Sequence, residues 1–382
     1  MSVELIKPGV NFDFIGNRRW AFLFSGILIA ASLVSVIAHK GLNLGVDFQG
    51  GSLIQARFAS QSADPESVRA TLSDAGLRVS SVQDYGEGGE REYLINIQNL
   101  EGTGDQALSS LAIAALKAAF GEDGVEIRRQ EMVGPRVGAD LRQKALYAVY
   151  YSVLIIIIYI SGRFEQKWGT SLAFSAILLG IIYVVSLFGV GVGTLIITAL
   201  IVTCITCYFM RFSFALGGII ALMHDVIITT GVFSFLNKEI TLSFVAAILT
   251  IIGYSLNDSI IVFDRIRENR SRNRRGNYPE IINRSINETL SRTILTSGTT
   301  LFALLSLYFL GGPVNQDFAL ALTIGIAIGT FSSIFIASPI LLLWESKAGP
   351  APDAGTTKAG AKAGSAKAGA GPPKPEADSA KA

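Results

Sequence analysis

Charge is scarce in this chain. Only 16% of its 382 residues are Asp, Glu, Lys or Arg, half are hydrophobic, and the mean hydropathy is +0.46. That excludes an ordinary soluble domain, in which about a quarter of residues are charged, and fits a protein that crosses a membrane repeatedly. Histidine is rarer still, with two residues in all, so His224 lacks the companions of a metal site. The only cysteines, Cys204 and Cys207, lie in an apolar run. Their C-x-x-C spacing suggests redox or metal chemistry in a soluble protein. Within such a run they read as small apolar residues one helical turn apart. The net charge of +2 comes from segregated blocks and gives no reason to expect a nucleic-acid partner. No cofactor is expected either.

What the chain does have is long uncharged runs, and about 20 apolar residues suffice to cross a bilayer. The runs cover 20–38, 145–162, 168–210, 212–236, 240–263, 293–310 and 318–344. The third holds 43 residues without a charge, about 65 Å of helix and twice a hydrocarbon core. The glycine-rich GVGVG at 189–193 splits it into a hairpin, which makes eight spans. The first run, 19 residues long, exceeds the roughly 7–15 of a secretory h-region and reads as a retained helix.

Lys and Arg set the orientation. With residue 1 inside, the inner segments hold Lys7, Arg18, Arg19, Arg163, Lys167, Arg211 and eight arginines between Arg265 and Arg292. The short outer loops hold only Lys238. The expected order is a cytoplasmic N-terminus 1–19, a span 20–38, an external domain 39–144, a span 145–162, the hairpin 168–210, a four-helix core 211–345 and a cytoplasmic tail 346–382.

The external segment alternates strand and helix signals. SLIQARF alternates as a strand, and DPESVRATLSDAG opens with an Asp cap and Pro65 and closes at Gly76. SSVQDY, EYLINIQ, the helix DQALSSLAIAALKAAFG and VEIRRQEMV follow. The order β-α-β-β-α-β is that of the split βαβ unit. It carries no nucleophile–base pair and no phosphate loop, so contact with a partner fits better than catalysis. The tail, built from Ala, Gly, Lys and Pro, has too little apolar surface to fold. Its lysines suit at most weak contact with anionic lipid.

Two spans carry acids. Asp258 sits in IIGYSLNDSIIVFDRIREN at 251–269, and Asp225 sits near the centre of 212–236 beside His224. A carboxylate in hydrocarbon costs a few kcal/mol even on lenient scales, so it is seldom there for packing alone. Arg292 at the entrance of the next span is placed to offset Asp258. The residues alone leave two readings open for Asp258: a fixed ion pair, or a carboxyl that titrates. Asp225 is likewise a second relay or a brace. Asn257 and Ser259 flank Asp258, and only one can share its helix face. Ser297, Thr299 and Thr300 either line a polar path or mediate helix packing, and the Gly-x-x-x-Gly at 325–329 reads as a packing face. Asp47, Gly50 and Gly51 mark a tight bend where the first span meets the external domain.

Six stretches carry a resemblance. They are LGVDFQGGSLI at 44–54, VGPRVGADLRQKA at 133–145, HDVIITTG at 224–231, GYSLNDSIIVFDRIREN at 253–269, RTILTSGTT at 292–300 and LGGPVNQDFALALTIGIAIGTFSSIFIASP at 310–339. In this order they resemble the SecF family, the smaller half of the SecDF pair within the resistance-nodulation-division (RND) superfamily. The resemblance implies an integral membrane α-helical bundle of about eight transmembrane helices with one small α+β ferredoxin-like periplasmic domain. It implies a non-enzymatic subunit in the bacterial inner membrane that pairs with SecD and serves the SecYEG translocon, with YajC, YidC and a preprotein as further partners. It also places Asp258 and Arg292 on a proton path driven by the proton-motive force. The family usually has six spans, so the hairpin between Arg163-Phe164 and Arg211-Phe212 reads as an insertion that preserves sidedness.

Two other classes are weighed. An RND exporter of small molecules or lipids calls for about twelve spans and two large external domains. An intramembrane aspartyl protease needs two carboxylates sharing a proton, but the His-Asp and Asn-Asp contexts differ from those of presenilin-like enzymes. The hairpin gives a direct test. A cysteine at Gly191, in a background lacking Cys204 and Cys207, is expected to react with an impermeant thiol reagent from outside. Protection there, with external labelling near Arg211, contradicts eight spans.

Overall fold

A computed structural model describes residues 11–60, 63–85, 90–98, 105–165, 168–186, 191–273 and 276–343. The tail 346–382 and part of the expected turn at 189–193 fall outside them. Helix α1 spans Arg18–Ala38 and buries only small residues, Ala21, Ser25, Ser32 and Ser35. A short helix α2, Val46–Gln49, leads into a sheet domain. Its elements are β1 Gly51–Phe58, α3 Pro65–Asp74, β2 Arg78–Asp84, β3 Arg91–Gln98, α4 Asp105–Phe120 and β4 Val125–Val133. Then come α5 Pro135–Glu165, α6 Trp168–Ser186, α7 Val192–Phe209, α8 Ser213–Phe235, α9 Leu242–Arg272, α10 Tyr278–Leu310 and α11 Pro313–Ser332.

The sheet is antiparallel throughout with order β2-β3-β1-β4. Alternation in β1 sends Ile54, Ala56 and Phe58 inward, where they meet Ile95 and Ile97 of β3 and Val68, Leu72, Leu108 and Leu116 of the two helices. Asp64 caps α3: its Oδ1 accepts from Ser67 N at 2.6 Å, and Ser67 Oγ accepts from Asp64 N at 3.0 Å. That backbone donor holds the Asp64 carboxyl below the usual carboxylate range.

Among the described residues six helices are long and apolar enough to cross a membrane: α1, α5, α8, α9, α10 and the stretch Pro313–Ile340 that begins with α11. Helices α6 and α7, 19 and 18 residues long, form the two arms expected on either side of the glycine-rich turn. They are not among the six, and their apolar described stretches are Trp168–Gly180 and Ile197–Phe209. Several helices extend beyond the uncharged runs: α5 begins at Pro135, ahead of the run at 145, and α11 begins at Pro313, ahead of the run at 318. The charged stretch 264–291 between two of the uncharged runs is largely helix, because α9 runs to Arg272 and α10 starts at Tyr278. Charge marks where hydrocarbon ends, whereas backbone hydrogen bonding continues into water as long as the sequence favours helix.

Close approach fixes the bundle. A Cβ at Gly231 of α8 would lie 2.1 Å from Ser32 Cβ of α1, and one at Gly325 of α11 would lie 2.2 Å from Ile251 Cδ1 of α9. Only small residues permit such crossings. The end of α5 meets the start of α8 despite the intervening hairpin: Phe164 stacks on Phe214 at 5.1 Å, and Phe214 N donates to Glu165 Oε1 at 3.2 Å.

Gly50 and Gly51 adopt φ of +80° and +145° where α2 turns into β1. A Cβ on Gly51 would fall 2.1 Å from the carbonyl oxygen of Ile97. Gly51→Ala therefore forces β1 and β3 apart and strains the backbone, and a loss of about 1–3 kcal/mol is expected. Thermal unfolding of the detergent-solubilised chain checks this; an unchanged midpoint contradicts it.

Candidate functional site

The acids of the spans come together around α9 and α11. On α9 the apolar residues Ile248, Ile251, Ile252, Val262 and Phe263 are buried, and the same face carries Ser255 and Asp258. Spacings of three and four residues put these side chains on one side of the helix. Asp225 projects from α8 and is fully buried.

Asp225 is saturated with partners. Its Oδ2 accepts from Ser255 Oγ of α9 at 2.6 Å and from Ser332 Oγ of α11 at 2.9 Å. Its Oδ1 lies 2.9 Å from His224 Nδ1. The far nitrogen of that ring, Nε2, is buried with no partner among the described residues. Glycine at 329 lets α11 approach, since a Cβ there would meet Ser255 Cβ at 3.0 Å and Asp225 Oδ2 at 3.4 Å.

Asp258 is held differently. It is 1% exposed, and its Oδ2 accepts one hydrogen bond, from Ser297 Oγ of α10 at 3.1 Å. Thr330 Oγ1 of α11 lies 2.8 Å from the same Ser297 hydroxyl. The other carboxylate oxygen, Oδ1, is buried without a partner among the described residues, as is Thr293 Oγ1 on α10. A hydroxyl both donates and accepts, so carboxyl, Ser297 and Thr330 form a short chain able to pass a proton.

Of the two readings left open, a fixed ion pair with Arg292 is not formed: Arg292 stands exposed on α10, just before the uncharged run 293–310, and makes no ion pair within 4.0 Å among the described residues. Ser297, five residues further along, takes the contact instead. Of the flanking residues, Asn257 is exposed and Ser259 is buried, and neither hydrogen-bonds Asp258 among the described residues. Thr299 is exposed and bonds carbonyls of its own helix. Thr300 accepts from Tyr254 OH at 3.1 Å, joining α10 to α9 one turn from the Ser297–Asp258 contact.

Asp47 lies apart from these acids. Its Oδ2 accepts from the backbone N–H of Leu242 at 2.9 Å, the first residue of α9, so it caps the helix that carries Asp258. Cys204 and Cys207 are free, with Cys204 Sγ 3.9 Å from Met223 Sδ. Among the described residues no three His, Cys, Asp or Glu side chains are grouped to hold a metal.

Sequence reasoning missed Ser255, Thr330 and Ser332. Serine and threonine are ordinary packing residues in spans, and only the partner's position reveals which of them serve a carboxyl. Ser255 carried a usable signal, being one turn before Asp258 on the same face.

The family model for the protein export membrane protein SecD/SecF, C-terminal, matches residues 112–204 and 190–347, and that for the SecD/SecF GG motif matches 35–61. A protein translocase subunit SecF of Magnetococcus marinus is 41% identical over 343 residues, covering 90% of this chain and 95% of that protein. Those of Vibrio alginolyticus and Escherichia coli O157:H7 are 39% and 36% identical, covering 89% of this chain in both cases and 91% and 90% of those proteins. A crystal structure of SecDF, described as translocon-associated, from Thermus thermophilus superposes with a TM-score of 0.64 at 32% identity. That match covers 88% of this chain but 39% of the solved one. A SecDF structure in a super-membrane-facing form gives 0.57 at 32% identity, covering 90% of this chain and 40% of the solved one. This chain thus spans about two fifths of those larger chains. By identity, coverage and the order of its motifs, it belongs to the SecF family of protein translocase subunits.

Proposed function

We propose that this chain pairs with SecD in the bacterial inner membrane and uses the proton-motive force to help move preproteins delivered by the SecYEG channel. Asp258 carries the reading: a buried carboxyl with one bonded oxygen and one free is arranged to exchange a proton, not to brace. Ser297 and Thr330 give that proton a path, and Arg292 supplies a positive charge nearby without fixing the carboxyl in an ion pair. Asp225, bonded from three helices, holds the bundle in register and offers a second, slower proton site. The size of the SecDF relatives supports a SecD partner, since this chain matches only about two fifths of them.

The membrane arrangement follows from the same reading. Eight crossings, with α6 and α7 as an inserted hairpin, leave both termini in the cytoplasm and the sheet domain outside. The bonded junction between Glu165 and Phe214 supports the insertion, because α5 meets α8 as though the hairpin were absent. The strand order β2-β3-β1-β4 supports a ferredoxin-like domain. YajC and YidC belong to this reading as further partners. The protease reading loses support, because Asp225 and Asp258 are joined through α9 and share no hydrogen bond.

Asp258→Asn preserves size and removes the titratable charge. It is expected to leave the complex assembled and export by the cytoplasmic ATPase running, while abolishing stimulation by a proton gradient. The driving force involved is about 2.3 kcal/mol per charge per 100 mV. Preprotein translocation into matched vesicles, with and without a gradient, is the measurement. Undiminished stimulation at normal complex levels contradicts the proton-carrier role.

A further inference from the structure

The turn between α8 and α9 joins the helix bearing Asp225 to the helix bearing Asp258. The turn and the start of α9 are tied to other parts of the chain. Lys238 Nζ pairs with Asp317 Oδ1 of α11 at 2.8 Å. Ile240 N donates to the Asn43 carbonyl at 2.7 Å and its own carbonyl accepts from Gly45 N at 2.9 Å, a parallel bridge to the strap between α1 and the sheet domain. Leu242 N is capped by Asp47. Between them stands Glu239.

Glu239 is 4% exposed, in a place where an acid could have pointed into water. Its Oε1 accepts from Ser80 Oγ of β2 at 2.6 Å, and its Oε2 accepts from Asn96 Nδ2 of β3 at 2.9 Å. Ser80 falls where the β2–β3 register shifts between Val79 and Ser81, and such irregularities re-aim a side chain. Asn96 is itself positioned by a bond to Ser81 Oγ at 2.9 Å. Gly45 completes the fit: a Cβ there would lie 3.4 Å from Glu239 Oε2 and 3.0 Å from Thr241 Cγ2. A buried acid with neutral donors adds less stability than a well-packed apolar side chain of the same volume. What it adds is direction, because only one placement of the sheet on the turn satisfies both oxygens.

We propose that Glu239 is the positioning residue that makes the sheet domain and the α8–α9 turn one rigid body, so that displacement of the helices carrying Asp225 and Asp258 moves the external domain. This rests on the proton-driven reading of Asp258. Two bonds from adjacent strands resist both sliding and rotation of the sheet over the turn, which one bond does not. The Asp47 cap and the Leu44–Ile240 bridge hold the same turn from the strap side, so α9 cannot shift along its axis without carrying the joint.

Glu239→Ala, Glu239→Gln and Asp258→Asn, each in the intact complex in vesicles, separate the possibilities. Glutamine keeps both bonds, its Oε1 accepting from Asn96 and its Nε2 donating to the Ser80 hydroxyl. Glu239→Gln is therefore expected to keep gradient-stimulated translocation, while Glu239→Ala drops to the level of Asp258→Asn at normal complex abundance and normal ATP-driven export. If Glu239→Ala lowers abundance, Ser80→Ala and Asn96→Ala each remove one bond from the domain side and are expected to reduce stimulation partially. Full stimulation in Glu239→Ala, or in both domain-side variants, overturns the proposal, and so does equal loss in Glu239→Gln and Glu239→Ala. If Asp258→Asn itself keeps its stimulation, the proton-driven reading fails. If Asp258→Asn loses it while Glu239→Ala keeps it, only the joint fails.

Discussion

A carboxyl group among apolar helices must find its donors on neighbouring helices, because no water reaches the hydrocarbon to supply them. Much of this bundle follows from that constraint. Asp225 takes hydroxyls from α9 and α11 at 2.6 and 2.9 Å, and those lengths oblige the three helices to lie close and in one register. Glycines at 325 and 329 on α11 answer that demand, since any side chain there would strike Ile251 or Ser255. Asp258 sits one turn from Ser255 on the same helix but receives a single donor. The two acids thus differ: Asp225 has both oxygens bonded, Oδ2 across helices, and Asp258 has one oxygen without a partner among the described residues.

Helix α9 connects the parts. At 31 residues it is about 46 Å long, more than a hydrocarbon core requires. Its first turn is capped by Asp47 and by Thr241 Oγ1, which accepts from Phe244 N at 3.3 Å. Its middle carries Ser255 and Asp258. Beyond the apolar stretch Asp264 pairs with Arg163 of α5 at 2.5 Å, Arg265 pairs with Glu288 of α10 at 2.6 Å, and Asn269 Nδ2 donates to Ser285 Oγ at 3.0 Å. Between these polar ends α9 packs through apolar side chains, Phe244 against Phe233 of α8 and Phe263 against Phe164 of α5.

Much of this was legible in the sequence, and the failures have physical causes. Alternation in SLIQARF and the Asp-Pro start of α3 gave the sheet domain, because period and capping act locally. Uncharged runs marked the long apolar helices but not their ends at Pro135, Arg272, Tyr278 and Pro313, since backbone hydrogen bonding does not stop where charge begins. Asp258 stood out because an acid in such a run is costly. Arg292 was legible as an offsetting charge, whereas the hydrogen bond comes from Ser297, a residue type common in any span. Glu239 gave no signal at all: an acid in a short loop normally faces water, and its burial depends on Ser80 and Asn96, 159 and 143 residues away.

The claim beneath this account is that Asp258 gains and loses a proton during the working cycle. Infrared difference spectroscopy of the vesicle-embedded complex reads this directly, through the carbonyl band that a carboxyl group shows only when protonated. Imposing and collapsing a proton gradient should make one such band rise and fall, and Asp258→Asn should remove it. A spectrum in which no carboxyl band responds to the gradient, or in which the responding band survives Asp258→Asn, would contradict it.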